Sequence, residues 1–120
     1  MTCEVFIGQL FLARDVAHST HLATRSYAKH VALNEFYDGI IDLADKFAET
    51  YQGKYGLIGA IALQSAKRTS NIVDFLEGQV QDIEEMRYKV VKKEDTTLQN
   101  IIDEILALYF TTLYKLKFLA

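Results

Sequence analysis

The chain has 120 residues, half of them apolar, with no proline, no tryptophan and a single cysteine, and it carries a net charge of −3. That length fits one domain spanning 1–120 with one modest core. Lone Cys3 rules out an intrachain disulfide and points to a reducing compartment, while the acidic balance argues against DNA and anionic membrane surfaces as partners. The opening MTCEVFIGQLFLARD lacks the basic region and small-residue cleavage site of a secretory signal. The expectation is a soluble, cytoplasmic protein.

Apolar residues recur at helical spacing throughout, so the fold class expected is all-α. A first helix covers residues near 3–23, with Phe6, Leu10, Ala13 and Ala17 on one stripe. Ser26 suits the N-cap of a second helix carrying Leu33, Phe36, Tyr37, Ile40, Ala44, Phe47, Ala48 and Tyr51. Two glycines in Gln52-Gly53-Lys54-Tyr55-Gly56 end it. Residues 57–69 read as a connector with room for a short helix. Ser70 or Asn71 caps a third helix with Ile72, Leu76, Val80, Ile83 and Val90, and the basic run from Lys89 to Lys93 suits its C-terminus. Thr96 and Gln99 form a capping box that opens a fourth helix through Ile101, Ile102, Ile105, Leu108, Tyr109 and Leu116.

Four helices joined by short connections predict a four-helix bundle. Between Ile105 and Leu119 apolar residues fill nearly every angle of the last helix, with Leu106, Phe110 and Leu113 facing away from its main stripe. A helix apolar all round is buried all round, and a monomer of this size has no room for one, which predicts an oligomer.

All three histidines, His18, His21 and His30, lie within thirteen positions. On the second helix, with His30 at 0°, Asn34 falls at about 40°, Asp45 at about 60°, Asp38 at about 80° and Glu49 at about 100°, a polar stripe on an otherwise apolar rod. Asp45 and Glu49, four apart, can converge on one ion; alone such a pair is ordinarily a solvated face. His18 should lie close to His30 across the turn between the first two helices, and paired histidines are a common ligand set for a transition metal. His30 and Asp45, however, sit about 22 Å apart along the same helix. Two second helices packed antiparallel about a two-fold axis remove that conflict, because the histidine end of one copy then meets the carboxylate end of the other.

The ligand spacing His18, His30, Asp45, Glu49 resembles the ferroxidase pattern of the Dps miniferritins. Residues 42–53 (DLADKFAETYQG) and 94–119 (EDTTLQNIIDEILALYFTTLYKLKFL) are similar to the end of that family's second helix and to its last helix. The resemblance covers most of residues 5–119 and is least clear over 54–70. It implies a ferritin-like four-helix bundle assembled through two-fold dimers into a twelve-subunit shell. In that family two histidines of one subunit and an Asp/Glu pair of its mate bind ferrous iron, which is oxidised with peroxide and stored. Iron is thus the implied metal, with zinc the alternative. The chain is short for the family, as a reduced, phage-encoded version would be.

Three departures stand against the pattern. Asn34 occupies a position where the family offers a carboxylate, with Asp38 one turn on to compensate. Ser19 stands where a tryptophan follows the first histidine, leaving Tyr27 or Tyr37 as electron donors or simply as packing. No lysine-rich N-terminal tail is present, and DNA binding is not expected. His21 forms H-x-x-H with His18, which can hold zinc or copper, and is expected behind the metal or at the surface. The E-x-x-H of intrachain di-iron bundles is absent. The competing expectation keeps the fold without turnover, as an oligomeric structural, interaction or inhibitor protein.

Overall fold

The computed structural model describes residues 2–66 and 71–119 and contains four helices: α1 (Cys3–Ala23), α2 (Tyr27–Tyr55), α3 (Ile72–Val90) and α4 (Thr96–Phe118). Each start is set by a side chain that accepts a hydrogen bond from an otherwise unpaired backbone N–H: Thr2 for α1, Ser26 for α2, Asn71 for α3 and Asp95 for α4. Helix α2 runs through Gly53 and stops at Gly56, whose φ of 101° suits glycine. Its 29 residues span about 43 Å, close to the 44 Å long axis of the molecule. Ser70, one of the two caps expected for α3, lies outside the described residues; Asn71 takes that role through Val73 and Asp74 N–H.

The helices form a ring of neighbours in which α1 touches α2 and α3, and α4 touches α2 and α3. Among the described residues α2 and α3 are diagonal, as are α1 and α4. Lys54 and Tyr55, ending α2, reach Asp95 at the start of α4, and α3 ends beside that same corner. Every neighbouring pair is therefore antiparallel, and the chain between α2 and α3 must return the length of the bundle. Residues 57–66 of that crossover contain no helix. They lie over the outer side of α1, where a Cβ on Gly8 would sit 2.8 Å from Gln64 Nε2 and 3.1 Å from the Ala62 carbonyl. Gln64 Nε2 also donates to the Val5 carbonyl at 3.0 Å.

The inward stripes read from the sequence make the core. Phe6, Leu10, Leu33, Phe36, Ile40, Phe47, Leu76, Ile83, Leu98 and Ile102 are all essentially inaccessible, and each such side chain contributes about 1.5–3 kcal/mol of burial. Phe36 meets Tyr109 edge-on at 5.0 Å. The Tyr109 hydroxyl donates to Gln79 Oε1 at 2.7 Å, and Gln79 Nε2 donates to the Gln9 carbonyl at 3.1 Å. This polar line ties α4 to α3 and α1, and burial pushes the Tyr109 phenol well above its ordinary pKa.

Two expectations about α4 change. Its N-cap is Asp95 rather than Thr96, because Gln99 does not fold back on its own helix. Gln99 is buried instead, donating to the carbonyls of Arg87, Val91 and Lys92 at 3.1–3.3 Å while accepting from Arg87 Nε at 2.8 Å. Leu106 and Leu113 are each 6 % exposed within one chain, since contact with both α2 and α3 widens the buried arc of α4. Phe110 remains half exposed, on one face with exposed Tyr114 and Phe118.

Candidate functional site

The turn between α1 and α2 is three residues long, and its histidines hold it closed. His21 Nδ1 lies 2.6 Å from the His30 carbonyl oxygen, and His30 Nδ1 lies 2.9 Å from the His21 carbonyl oxygen. A carbonyl oxygen can only accept, so both Nδ1 atoms carry hydrogen and donate. In the neutral rings the lone pair therefore resides on Nε2, the arrangement that readies imidazole for a metal. The His30 ring also satisfies one of the four carbonyls left open where α1 ends. The two rings stack at 3.6 Å and 20°. His21 is buried and His30 half-buried.

His18 is exposed and stacks on Tyr37 at 4.3 Å and 19°. Tyr37 presents its edge to His21 at 5.3 Å, and its hydroxyl donates to Asn34 Oδ1 at 2.6 Å. Asn34 Nδ2 then donates to Asp38 Oδ2 at 3.2 Å. The amide at position 34 thus serves two partners of opposite demand, which a carboxylate could not. Tyr27 is exposed, its ring 6.3 Å from that of His30.

The histidine in direct contact with His30 is therefore His21, with His18 at 6.1 Å from His21 on the far side. The reason is helical phase. The stripe Phe6, Leu10, Ala13, Ala17 continues by four residues to His21, so His21 points into the bundle and is 7 % exposed, whereas His18 is carried outward. That continuation was visible in the sequence, and it places His21 inside rather than at the surface.

Asp45 and Glu49 are exposed further along α2, with Asp42 beside them, and none of the three has a side-chain hydrogen bond or ion pair among the described residues. Lys46, their neighbour, turns to Glu104 of α4 at 3.1 Å. Among the described residues no three His, Cys, Asp or Glu side chains converge on a point that could hold a metal. One chain thus brings His18, His21, His30, Asn34 and Asp38 to one end and leaves Asp45 and Glu49 toward the other.

The opposite end of the bundle is built around Asp95, which is buried yet charged. Its carboxylate accepts from Tyr55 Oη at 2.5 Å, Lys54 Nζ at 2.9 Å and the Leu98 N–H at 3.3 Å. The Tyr55 hydroxyl above all, helped by Lys54 and Leu98, holds Asp95 below the usual carboxylate value against the opposing effect of burial. The same contacts push Lys54 and Tyr55 up. A shallow cleft nearby is lined by Tyr51, Tyr55, Tyr88, Lys89 and Lys92 and holds neither histidine nor carboxylate. Cys3 is buried, and desolvation, aided by Glu4, pushes its thiol up to about 11, so it is a poor thiolate.

Residues 21–116 match the family described as a family of unknown function, DUF5856. The chain belongs to this family. The match begins at His21 and takes in His30, Asp45, Glu49, the Asp95 corner and nearly all of α4. DUF5856 thereby covers the hairpin joint and most of the bundle. The chain is also 28% identical over 118 residues to an uncharacterized 14.6 kDa protein of the mobD-ri intergenic region of Enterobacteria phage T4, covering 95% of this chain and 87% of that protein. No solved structure matches. Among the described residues no helix is long and apolar enough to cross a membrane.

Proposed function

We propose that this protein is a ferritin-like, iron-oxidising bundle whose metal site is completed by a second copy. The observation that carries the reading is the half-buried His30 ring, whose Nδ1 is pinned by the His21 carbonyl so that Nε2 is left as its basic nitrogen. His18 and His30 supply neutral nitrogen to ferrous iron; Asp45 and Glu49 of the second copy supply charge and hard oxygen, which favour the ferric product. His21 acts behind His30, fixing its ring. Ferrous iron is the substrate: peroxide takes one electron from each of two ferrous ions and, with protons from solvent, leaves as water.

The pairing has a direct electrostatic consequence. Midway along α2 between His30 and the Asp45–Glu49 pair stands Asp38, with Asp42 one turn on, so antiparallel α2 helices set like charges against each other at the two-fold axis. Bound cations offset that repulsion, and this dimer forms only when metal is present.

Anaerobic ferrous titration followed by peroxide tests the reading. Wild type should develop ferric absorbance, and a His30→Ala chain and an Asp45→Ala/Glu49→Ala chain should each fail. Mixing the two defective chains restores about a quarter of the wild-type sites on random pairing, since each hybrid dimer holds one intact site. Defective chains that oxidise iron normally, or a mixture that recovers nothing, would overturn it.

One observation favours a second reading. Asp38, Asp42, Asp45 and Glu49 form an exposed acidic ridge on α2, suited to a basic surface on another macromolecule and requiring no turnover. A wild-type protein that binds no ferrous iron leaves this reading in place.

A further inference from the structure

We infer that a second copy of this chain docks antiparallel on the outer face of α4, centred at Phe110, at an interface that needs no metal. Phe110, Tyr114 and Phe118 follow at four-residue spacing and are 50 %, 55 % and 72 % exposed, forming an aromatic ridge on an otherwise polar arc. Aromatic side chains grouped this way are enriched at the centres of protein interfaces and are unusual on a face left to water.

What selects a second copy as the occupant is the placement of charge. The outer face of α4 is acidic two turns in, at Asp103 and Glu104, and basic where it ends, at Lys115 and Lys117. All four remain accessible although each has an intrachain partner. Glu104 and Lys115 lie on the edge nearest α2, where they pair with Lys46 and Glu35; Asp103 and Lys117 lie on the edge nearest α3, where they pair with Arg87 and Glu77. A two-fold axis across an antiparallel helix pair keeps like edges together. It therefore sets Glu104 against Lys115 of the other copy on one edge, and Asp103 against Lys117 on the other.

Each pair fixes a centre of symmetry, and both centres fall at Phe110 to within half a residue. Half a residue further on, at a centre of 110.5, Tyr114 faces exposed Ala107 of the other helix, a large side chain on a small one. Charge on both edges and shape in the middle thus agree on one alignment to within a residue. On each edge the ion pairs extend into a row of alternating sign, such as Arg87–Asp103 continued by Lys117–Glu77 of the second copy.

Sedimentation in the presence of a chelator tests this apart from the iron site, whose dimer depends on metal. Wild type should show a concentration-dependent dimer, and Phe110→Ser with Tyr114→Ser should weaken it at least about ten-fold. A chain with Asp103→Lys and Glu104→Lys, and another with Lys115→Glu and Lys117→Glu, should each stay monomeric alone and form a mixed dimer together. Thermal unfolding of each variant verifies that it is folded, and the serine pair, which disturbs no ion pair, decides the matter should a charge-reversed chain not fold. A wild type that stays monomeric throughout, leaving the ridge for a different protein, overturns the inference, as does a dimer indifferent to the serine pair.

Discussion

The two ends of the bundle solve the same problem differently. Where α4 begins, polar groups close on one another: Asp95 takes Tyr55, Lys54 and Leu98, and Gln99 takes one carbonyl at the end of α3 and two of the α3–α4 turn while Arg87 takes Gln99 and Asp103. Where α1 turns into α2, His21 and His30 use one ring nitrogen each to shut the turn and keep the other, and exposed His18 rests on Tyr37. The first end is complete within one chain. The second is structurally sound and chemically open, and such an end can acquire a ligand without the fold being rebuilt.

Substitutions should separate the two. The largest effect is expected for Gln99→Ala, which leaves the Val91 carbonyl without its donor and Arg87 Nε without its acceptor, while Arg87 keeps the Gln99 carbonyl and Asp103; urea unfolding should register a loss of about 3 kcal/mol, and a loss under about 1 kcal/mol would mean that water replaces the amide. Asp95→Ala follows at about 1–2 kcal/mol, the usual range for losing an N-cap. Its charge also sets a pH signature. Because Asp95 is held below its ordinary value of 3.8, its contribution is intact above that value and lost as pH falls through the lower folded value. Lys54 and Tyr55 are raised, so theirs is intact below their ordinary values of 10.5 and 10.0 and lost as pH climbs past the raised ones. Asp95→Asn should flatten both limbs of the stability profile, and an unchanged profile counts against the ion pair.

At the histidine end the ranking should invert between stability and metal. His21→Ala removes a buried ring and a donor to His30, costing about 1–2 kcal/mol, and loosens His30 so that ferrous affinity falls; equal affinity in the variant would show that His30 needs no such support. The smallest stability effect belongs to Asn34→Asp. It places a second carboxylate four residues before Asp38 and costs the metal-free chain about 0.2–0.5 kcal/mol, while strengthening ferrous binding in calorimetry. Unchanged affinity would remove position 34 from the site.

The helices and their inward stripes were legible because period and caps are local properties. Ser26, Asn71, Gly56 and the Phe6-to-Ala17 stripe all act where the sequence placed them. Interactions between helices were not legible. Gln99 looked like half of a capping box until α3 offered it carbonyls, and Leu106 and Leu113 looked outward until two neighbours flanked α4. Of the candidate site, the clustering of the histidines was plain, and so was the distance to Asp45 and Glu49. Which ring touches His30 depended on following the α1 stripe one step further, to His21.

The crossover carries one more consequence. Because α2 and α3 make no contact among the described residues, the chain divides into two hairpins, each joined by a tight turn and able to form from contacts close in sequence. Docking them adds a loop closure whose entropic cost grows only slowly with length, about 0.6 kcal/mol for each doubling. The order of events follows: the hairpins form early, their mutual docking is the slower step, and changes in the length of the crossover should leave the folding rate almost untouched.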